Sequence, residues 1–246
     1  MKLWCNKNDI ARLISKTIMI GSILLIFSGC STLEQLATPY RENTGNSIVR
    51  ISYLDAGGKG QEHVGTGFLY LNDKLVITCS HVLPRNVEDM ELEMLASNQK
   101  LKAKVLLNDE TSDIAILKII DLSENSFLSK SNKEIYNGLE VLAFGYPNFI
   151  VGYDGLFCTG GVIAQELPQA IEISGRIFNF ALADLTVSSG NSGGPLVDTN
   201  GAVIGIVNGV RYYQISSSDA PVTITLFTPI DVIDDIIMKN DILNML

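Results

Sequence analysis

Residues 186–198, TVSSGNSGGPLVD, place Ser192 among three glycines directly before an apolar run. Glycine weakens a strand, so three of them here indicate a backbone that must take conformations other residues resist. Without Cβ atoms the chain can turn until the amides of Gly190 and Ser192 face one point, which is the arrangement of an oxyanion hole. The stretch therefore predicts either a nucleophilic serine on a strained turn or a polar turn between two strands.

The residues on both sides of this stretch form short apolar runs that are broken by turn signals. Runs such as KLVITCS, DIAILKII and AVIGIVNGV have strand length and are rich in β-branched residues. The polar segment 121–138 divides these runs into two sets of similar length, and residues 231–246 carry apolar side chains at helical spacing. We therefore predict two antiparallel barrels, at residues 47–130 and 131–230, followed by a C-terminal helix at 231–246. The charged run VEDMELEMLASNQ is compatible with a short helix, but its MELEML alternation favours a strand.

The first 46 residues differ from the rest and predict an export signal followed by a tether. Four basic residues precede the apolar run 17–27, and small residues follow it, which is the three-part pattern of a signal peptide at 1–29. Eleven apolar residues are too few to span a bilayer, which needs about 20. The sequence FSGC resembles a bacterial lipoprotein box, which implies lipid attachment to Cys30, a polar tether at 30–46 and location in the bacterial cell envelope. Phe27 departs from that box, so an ordinary cleaved signal is the alternative, and a buried N-terminal helix would place Lys16 in its apolar face.

Charge and cysteine content restrict the partners. The net charge of −9 repels phosphate backbones, so we expect no nucleic-acid partner. Cys5 would leave with the signal and Cys30 would carry lipid, which leaves Cys79 and Cys158. An exported location permits a disulfide between these two, but two small buried side chains fit the sequence as well. No His/Cys cluster has metal-ligand spacing, so we predict neither a metal nor a cofactor.

The chain has two histidines, and only one of them stands where chemistry is expected. His63 lies in the polar stretch KGQEHVGTG, which predicts an exposed loop. His81 ends an apolar strand in LVITCSHVL, and Asp113 opens another in ETSDIAILKI. Taken singly, His81 could be a structural cap, and Asp113 a turn residue.

Together with Ser192, these two residues predict a catalytic triad. A serine hydroxyl is a weak nucleophile until a neutral imidazole takes its proton, and a carboxylate fixes the tautomer of that imidazole. His81, Asp113 and Ser192 supply one candidate for each role, and their order along the chain is that of the chymotrypsin triad.

The motifs TCSHVL (78–83), SDIAILKI (112–119) and GNSGGPL (190–196) resemble the three catalytic motifs of chymotrypsin-like serine proteases. The finer resemblance is to bacterial HtrA/Deg-type peptidases, and it covers residues 47–238. It implies an all-β fold of two antiparallel six-stranded barrels. Because the chain ends after the terminal helix, we expect no peptide-binding PDZ domain. Ser189 stands where that family often has proline.

The resemblance also implies a primary specificity pocket. In the family, the segment before the nucleophile and the strand after it line this pocket. None of the matching residues is charged, which predicts cleavage after small or medium apolar residues. The matching residues are Thr186, Val187, Ser188, Val207, Asn208 and Gly209.

Asn191, which precedes the nucleophile, predicts how the site is controlled. In digestive relatives an aspartate at this position pairs with a newly cut N-terminus, and the oxyanion hole forms only then. Asn191 has no charge for such a pair, so we expect no zymogen cleavage.

The sequence thus favours a membrane-tethered serine endopeptidase acting on protein or peptide substrates. The alternatives are a catalytically silent protease-fold lipoprotein that binds proteins and a chaperone-like module, which the expected lack of a PDZ domain disfavours.

Overall fold

The computed structural model describes seven segments of the chain. Inside them no helix is both long and apolar enough to cross a membrane. The predicted signal peptide, Cys30 and most of the tether lie outside the described residues. The described residues are 44–54, 61–84, 89–94, 99–121, 125–148, 155–213 and 222–246.

Six strands form the first barrel. They pair antiparallel in the order β1–β2–β3–β6–β5–β4, and β1 pairs with β4 in turn. The core lies where apolar side chains face inward, as in β5, in which Leu101 and Ala103 are buried between exposed lysines. The strands are β1 (Ile48–Leu54), β2 (Gln61–Leu69), β3 (Leu75–Thr78), β4 (Asp89–Met94), β5 (Gln99–Asp109) and β6 (Ile114–Ile119).

Six further strands form the second barrel. They pair in the order β10–β11–β12–β9–β8–β7, with β7 also paired to β10. Leu196, Ile204, Val207 and Phe227 lie at the centre of its core. The strands are β7 (Glu140–Gly145), β8 (Phe157–Ile173), β9 (Arg176–Asp184), β10 (Pro195–Asp198), β11 (Val203–Tyr213) and β12 (Val222–Pro229).

The segment between the barrels is bonded to both. Leu128 forms a parallel bridge with Tyr70 at the end of β2, and Lys130 forms one with Val203 of β11. This polar segment was predicted as the internal boundary, and the structure gives it the additional role of a strap across the two barrels.

Helix α1 (Ile230–Lys239) closes the described chain, together with a 3₁₀ turn at Ile242–Met245. Ile233 and Ile237 are buried on one face of α1, as the helical spacing of apolar residues predicts. The Tyr70 hydroxyl of the first barrel donates a 2.8 Å hydrogen bond to Asp234 of α1. Burial and this carboxylate raise the pKa of Tyr70. The helix therefore follows the second barrel in the chain but is hydrogen-bonded to the first.

The predicted all-β class with antiparallel strands and a C-terminal helix is confirmed. The MELEML alternation does form a strand, β4. One prediction was wrong. His63 lies in β2, paired with Ser52, and not in a loop. A 3₁₀ turn at Gly45–Ser47 leads into β1.

Candidate active site

His81 lies in a single 3₁₀ turn, Ser80–Val82, directly after β3. The turn places the imidazole at the surface, with 49% of its side chain exposed, while Ser80 and Val82 are buried. The His81 backbone amide donates to Asp113 Oδ1 at 3.0 Å, and its Nδ1 lies 2.9 Å from both carboxylate oxygens. Main chain and ring therefore bind the same acid, which sets the orientation of the imidazole.

Asp113 precedes β6 and takes a left-handed backbone conformation, with φ of 56°. Aspartate tolerates this region better than most residues, and the residue is only 8% exposed. A buried carboxylate needs hydrogen-bond donors, and Asp113 receives them from His81 and from the Asn208 side-chain amide at 3.0 Å. Asp113 is therefore a buried, paired acid directly before a strand.

Ser192 lies on the turn between the second-barrel strands, as its glycines predict. Gly190 and Gly193 have φ of 96° and 85°, which favour glycine. A Cβ on Gly193 would lie 2.1 Å from the carbonyl oxygen of Thr66, so the close approach of the first barrel also requires glycine there. Within the described residues, the backbone amides of Gly190 and Ser192 donate to no protein acceptor. Both N–H groups are therefore available to a developing oxyanion.

The Ser192 hydroxyl donates to the backbone carbonyl of Asn208 at 3.1 Å. Among the described residues it forms no hydrogen bond with His81. The structure thus brings His81 and Asp113 into direct contact, and Asn208 links this pair to Ser192, because its side chain bonds the carboxylate and its carbonyl bonds the hydroxyl.

Asn208, a predicted pocket residue, also contacts the candidate triad. Its side chain is buried between Asp113 and Thr228, whose hydroxyl donates to Asn208 Oδ1 at 2.9 Å. Asn208 is a polar residue inside the apolar strand AVIGIVNGV. Because a buried amide needs hydrogen-bond partners, this position indicates a polar contact inside the protein, which the sequence analysis missed.

The other predicted pocket residues differ in burial. Val187 and Val207 pack in the core of the second barrel. Thr186 is exposed, while Ser188 and Gly209 are half-buried, and all five remain predicted pocket residues.

Cys79 is fully buried beneath this site, and Cys158 is exposed, both as free thiols. The two cysteines form no disulfide in this structure, and the alternative of two buried side chains holds only for Cys79. The Cys79 thiol donates to the Val207 carbonyl at 3.4 Å. Burial and the nearby Asp113 carboxylate raise its pKa.

Cys79, His81 and Asp113 also form a group that could hold a metal ion, since their ligand atoms lie within 4.8 Å of one another. The imidazole nitrogen and the carboxylate are already bonded to each other, however. An ion would have to displace that contact.

A cavity of about 290 Å³ opens beside His81 on the first barrel. Arg176 and Phe178 of the second barrel line its far wall, and Arg176 forms a 2.8 Å ion pair with Glu110 of the loop before Asp113. The cavity is therefore lined by residues of both barrels next to the imidazole.

Comparison with known proteins agrees with this geometry. The chain is 32% identical over 182 residues to a probable periplasmic serine endoprotease, DegP-like, from Ectopseudomonas mendocina, covering 72% of this chain and 36% of that protein. It is 32% identical over 145 residues to the one from Rickettsia conorii, covering 58% and 28%. It is 29% identical over 144 residues to the mitochondrial serine protease HTRA2 of Drosophila ananassae, covering 58% and 33%. The chain thus spans about a third of the length of these relatives.

These comparisons assign the chain to the serine-type peptidases. More narrowly, the chain belongs to the family of trypsin-like peptidase domains, whose model matches residues 65–206, more than half of its length. The predicted resemblance to HtrA/Deg-type peptidases is confirmed.

Proposed function

We propose that this protein is a serine endopeptidase in which His81, Asp113 and Ser192 act as the catalytic triad. The observation that carries the proposal is the His81–Asp113 pair at 2.9 Å, linked through Asn208 to a serine whose turn presents two free amides. Such a set has the parts that acyl transfer requires: a nucleophile, an oriented base and oxyanion donors.

The mechanism requires one local movement before chemistry. The Ser192 hydroxyl rotates away from the Asn208 carbonyl until it donates to Nε2 of His81. His81 then takes its proton as Oγ attacks the peptide carbonyl, while Asp113 stabilises the imidazolium. The amides of Gly190 and Ser192 bind the oxyanion, and His81 returns the proton to the leaving amine. Water repeats the sequence to release the acyl group.

Specificity and location form a second part of the proposal. Thr186, Ser188 and Gly209 carry no charge, which supports cleavage after small or medium apolar residues. The periplasmic names of DegP-like relatives support an exported protein, and Cys30 is the proposed lipid attachment site that tethers it to the membrane. Metabolic labelling with palmitate tests the tether: wild type should incorporate label and Cys30→Ser should not. Label retained by Cys30→Ser would exclude lipidation at that residue.

A specific observation favours one alternative, a catalytically silent binding module. The Ser192 hydroxyl is bonded to Asn208 and not to His81. A fluorophosphonate probe separates the two functions, because it reacts only with an activated serine. We expect the mature wild type to be labelled and Ser192→Ala to remain unlabelled. A folded wild type that takes no label would favour the silent module.

A further inference from the structure

Thr66 of β2 lies in the first barrel, but its polar atoms serve the nucleophile turn of the second. The residue is fully buried. Its hydroxyl donates to the Gly190 carbonyl at 2.7 Å and accepts from the Tyr146 amide at 3.0 Å. Its own amide donates to the Ser192 carbonyl at 2.9 Å. One residue therefore holds the turn at both ends of the three residues 190–192.

These contacts hold the carbonyl groups of the two residues whose amides would form the oxyanion hole. The Gly190 carbonyl points at the Thr66 hydroxyl, so the peptide that follows Gly190 cannot turn without breaking a buried hydrogen bond. Gly190 itself, with φ of 96°, has wide conformational freedom. The Asn148 amide holds the peptide before it, by donating to the Ser189 carbonyl at 2.8 Å, and the Thr66 hydroxyl holds the peptide after it. Loss of the Thr66 bond would leave the second of these two peptides free to turn, and with it the backbone angles that aim the Gly190 amide.

The side chain of Asn191 does not hold the nucleophile turn in place. The residue is buried, and its side-chain oxygen has no hydrogen-bond partner among the described residues. Its amide carries no charge, so it offers no ion pair that could hold the turn in place. The side-chain restraint on the Gly190 carbonyl comes from Thr66 across the barrel junction.

We infer that Thr66 is a positioning residue that keeps the oxyanion hole formed without an activation cleavage. This inference rests on the proposed function for its effect on rate. Its structural part, that the Thr66 hydroxyl orders residues 188–194, stands independently of activity.

The test compares variants that differ in the hydroxyl alone. Thr66→Val removes the hydroxyl and keeps the shape, whereas Thr66→Ser keeps the hydroxyl. Thr225→Val is the matched control, because Thr225 is equally buried and its hydroxyl donates at 2.8 Å to the Leu185 carbonyl, away from the turn. Thr66→Ala provides a second comparison with Thr66→Ser, since both lack the methyl group.

Removal of a single oxyanion-hole donor lowers the rate about 10²–10³-fold. A donor that is present but misoriented should lower the rate by a smaller factor. We expect Thr66→Val to lower kcat/KM for a peptide ester about 10- to 100-fold. The affinity for a peptide boronic acid, which mimics the tetrahedral intermediate, should weaken by the same factor. Binding of a substrate peptide in the Ser192→Ala background should stay unchanged. Thr66→Ser and Thr225→Val should remain within about 3-fold of wild type.

Hydrogen exchange of a peptide covering residues 188–194 gives a readout that needs no activity. Thr66→Val should accelerate exchange there about 10-fold, and Thr225→Val should not. Faster exchange with an inert wild type would support the brace and reject the peptidase function. Unchanged exchange and unchanged kcat/KM would overturn the inference. If Thr66→Val does not fold, loss of activity in Thr66→Ala with retention in Thr66→Ser supports it, and equal activity in that pair overturns it.

Discussion

The two halves of the candidate site are held in different ways. His81 and Asp113 both belong to the first barrel, and the acid binds both the ring and the backbone amide of the histidine. Among the described residues Ser192 makes no such contact; its turn is shaped by glycines and held by Thr66 of the other barrel. The His81–Asp113 pair is therefore formed within one barrel, with Asn208 of the other as a further donor to the acid, whereas the turn of the nucleophile depends on the close approach of the two.

The largest expected effect comes from the acid–base half. In Asp113→Asn the amide cannot hold the His81 tautomer that accepts the serine proton, and kcat should fall about 10⁴-fold at neutral pH. Steady-state hydrolysis of a peptide ester measures this loss. Asp235→Asn on the exposed face of α1 is the control and should retain activity. A loss below about 10-fold for Asp113→Asn would show that this half is not part of the reaction.

A substitution in the nucleophile half should lower the free energy of unfolding as well as the rate of hydrolysis. Gly193→Ala combines a left-handed φ with a Cβ 2.1 Å from the Thr66 carbonyl oxygen, and should cost about 2–4 kcal/mol in the free energy of unfolding. Gly138→Ala has a φ of 93° but nothing within 4 Å, so it should cost only about 1 kcal/mol. Urea denaturation measures both. Equal losses would mean that the approach of the barrels adds no constraint.

Asn208 joins the two halves, and its removal should weaken both moderately. Asn208→Ala deprives the buried Asp113 carboxylate of a donor at 3.0 Å, and kcat/KM should fall about 10- to 100-fold. Thr228→Val removes only the partner of Asn208 Oδ1, and should cost less than about 5-fold. A Thr228→Val loss as large as that of Asn208→Ala would assign the effect to packing in β11 and β12.

The smallest effect concerns Cys79 below the junction. Its pKa is raised in the folded state, by burial first and by Asp113 second. Above the ordinary thiol pKa the unfolded chain loses a proton that the folded chain retains. The free energy of unfolding should therefore fall between about pH 8.5 and 10, by at most about 1.4 kcal/mol per pH unit. Urea midpoints across this range should fall less steeply in Cys79→Ala. An equal pH dependence of the urea midpoint in wild type and Cys79→Ala would contradict a raised pKa of Cys79.

The difference between the halves also explains what the sequence could predict. His81, Asp113 and Ser192 stand at the ends of apolar runs or among glycines, so each leaves a local signal. Thr66 and Asn208 lie inside strands, and their partners are 124 and 95 residues away. No local pattern encodes such a pairing.

The division of the site between two barrels has a practical consequence. The connecting strap is bonded to both barrels through Leu128 and Lys130, and it separates Asp113 from Ser192 along the chain. A chain cut near residues 122–124 would yield two fragments, each with an incomplete set of reacting groups. Hydrolysis would then report reassembly of the pieces. The barrel junction is thus a natural basis for a split-protein complementation assay.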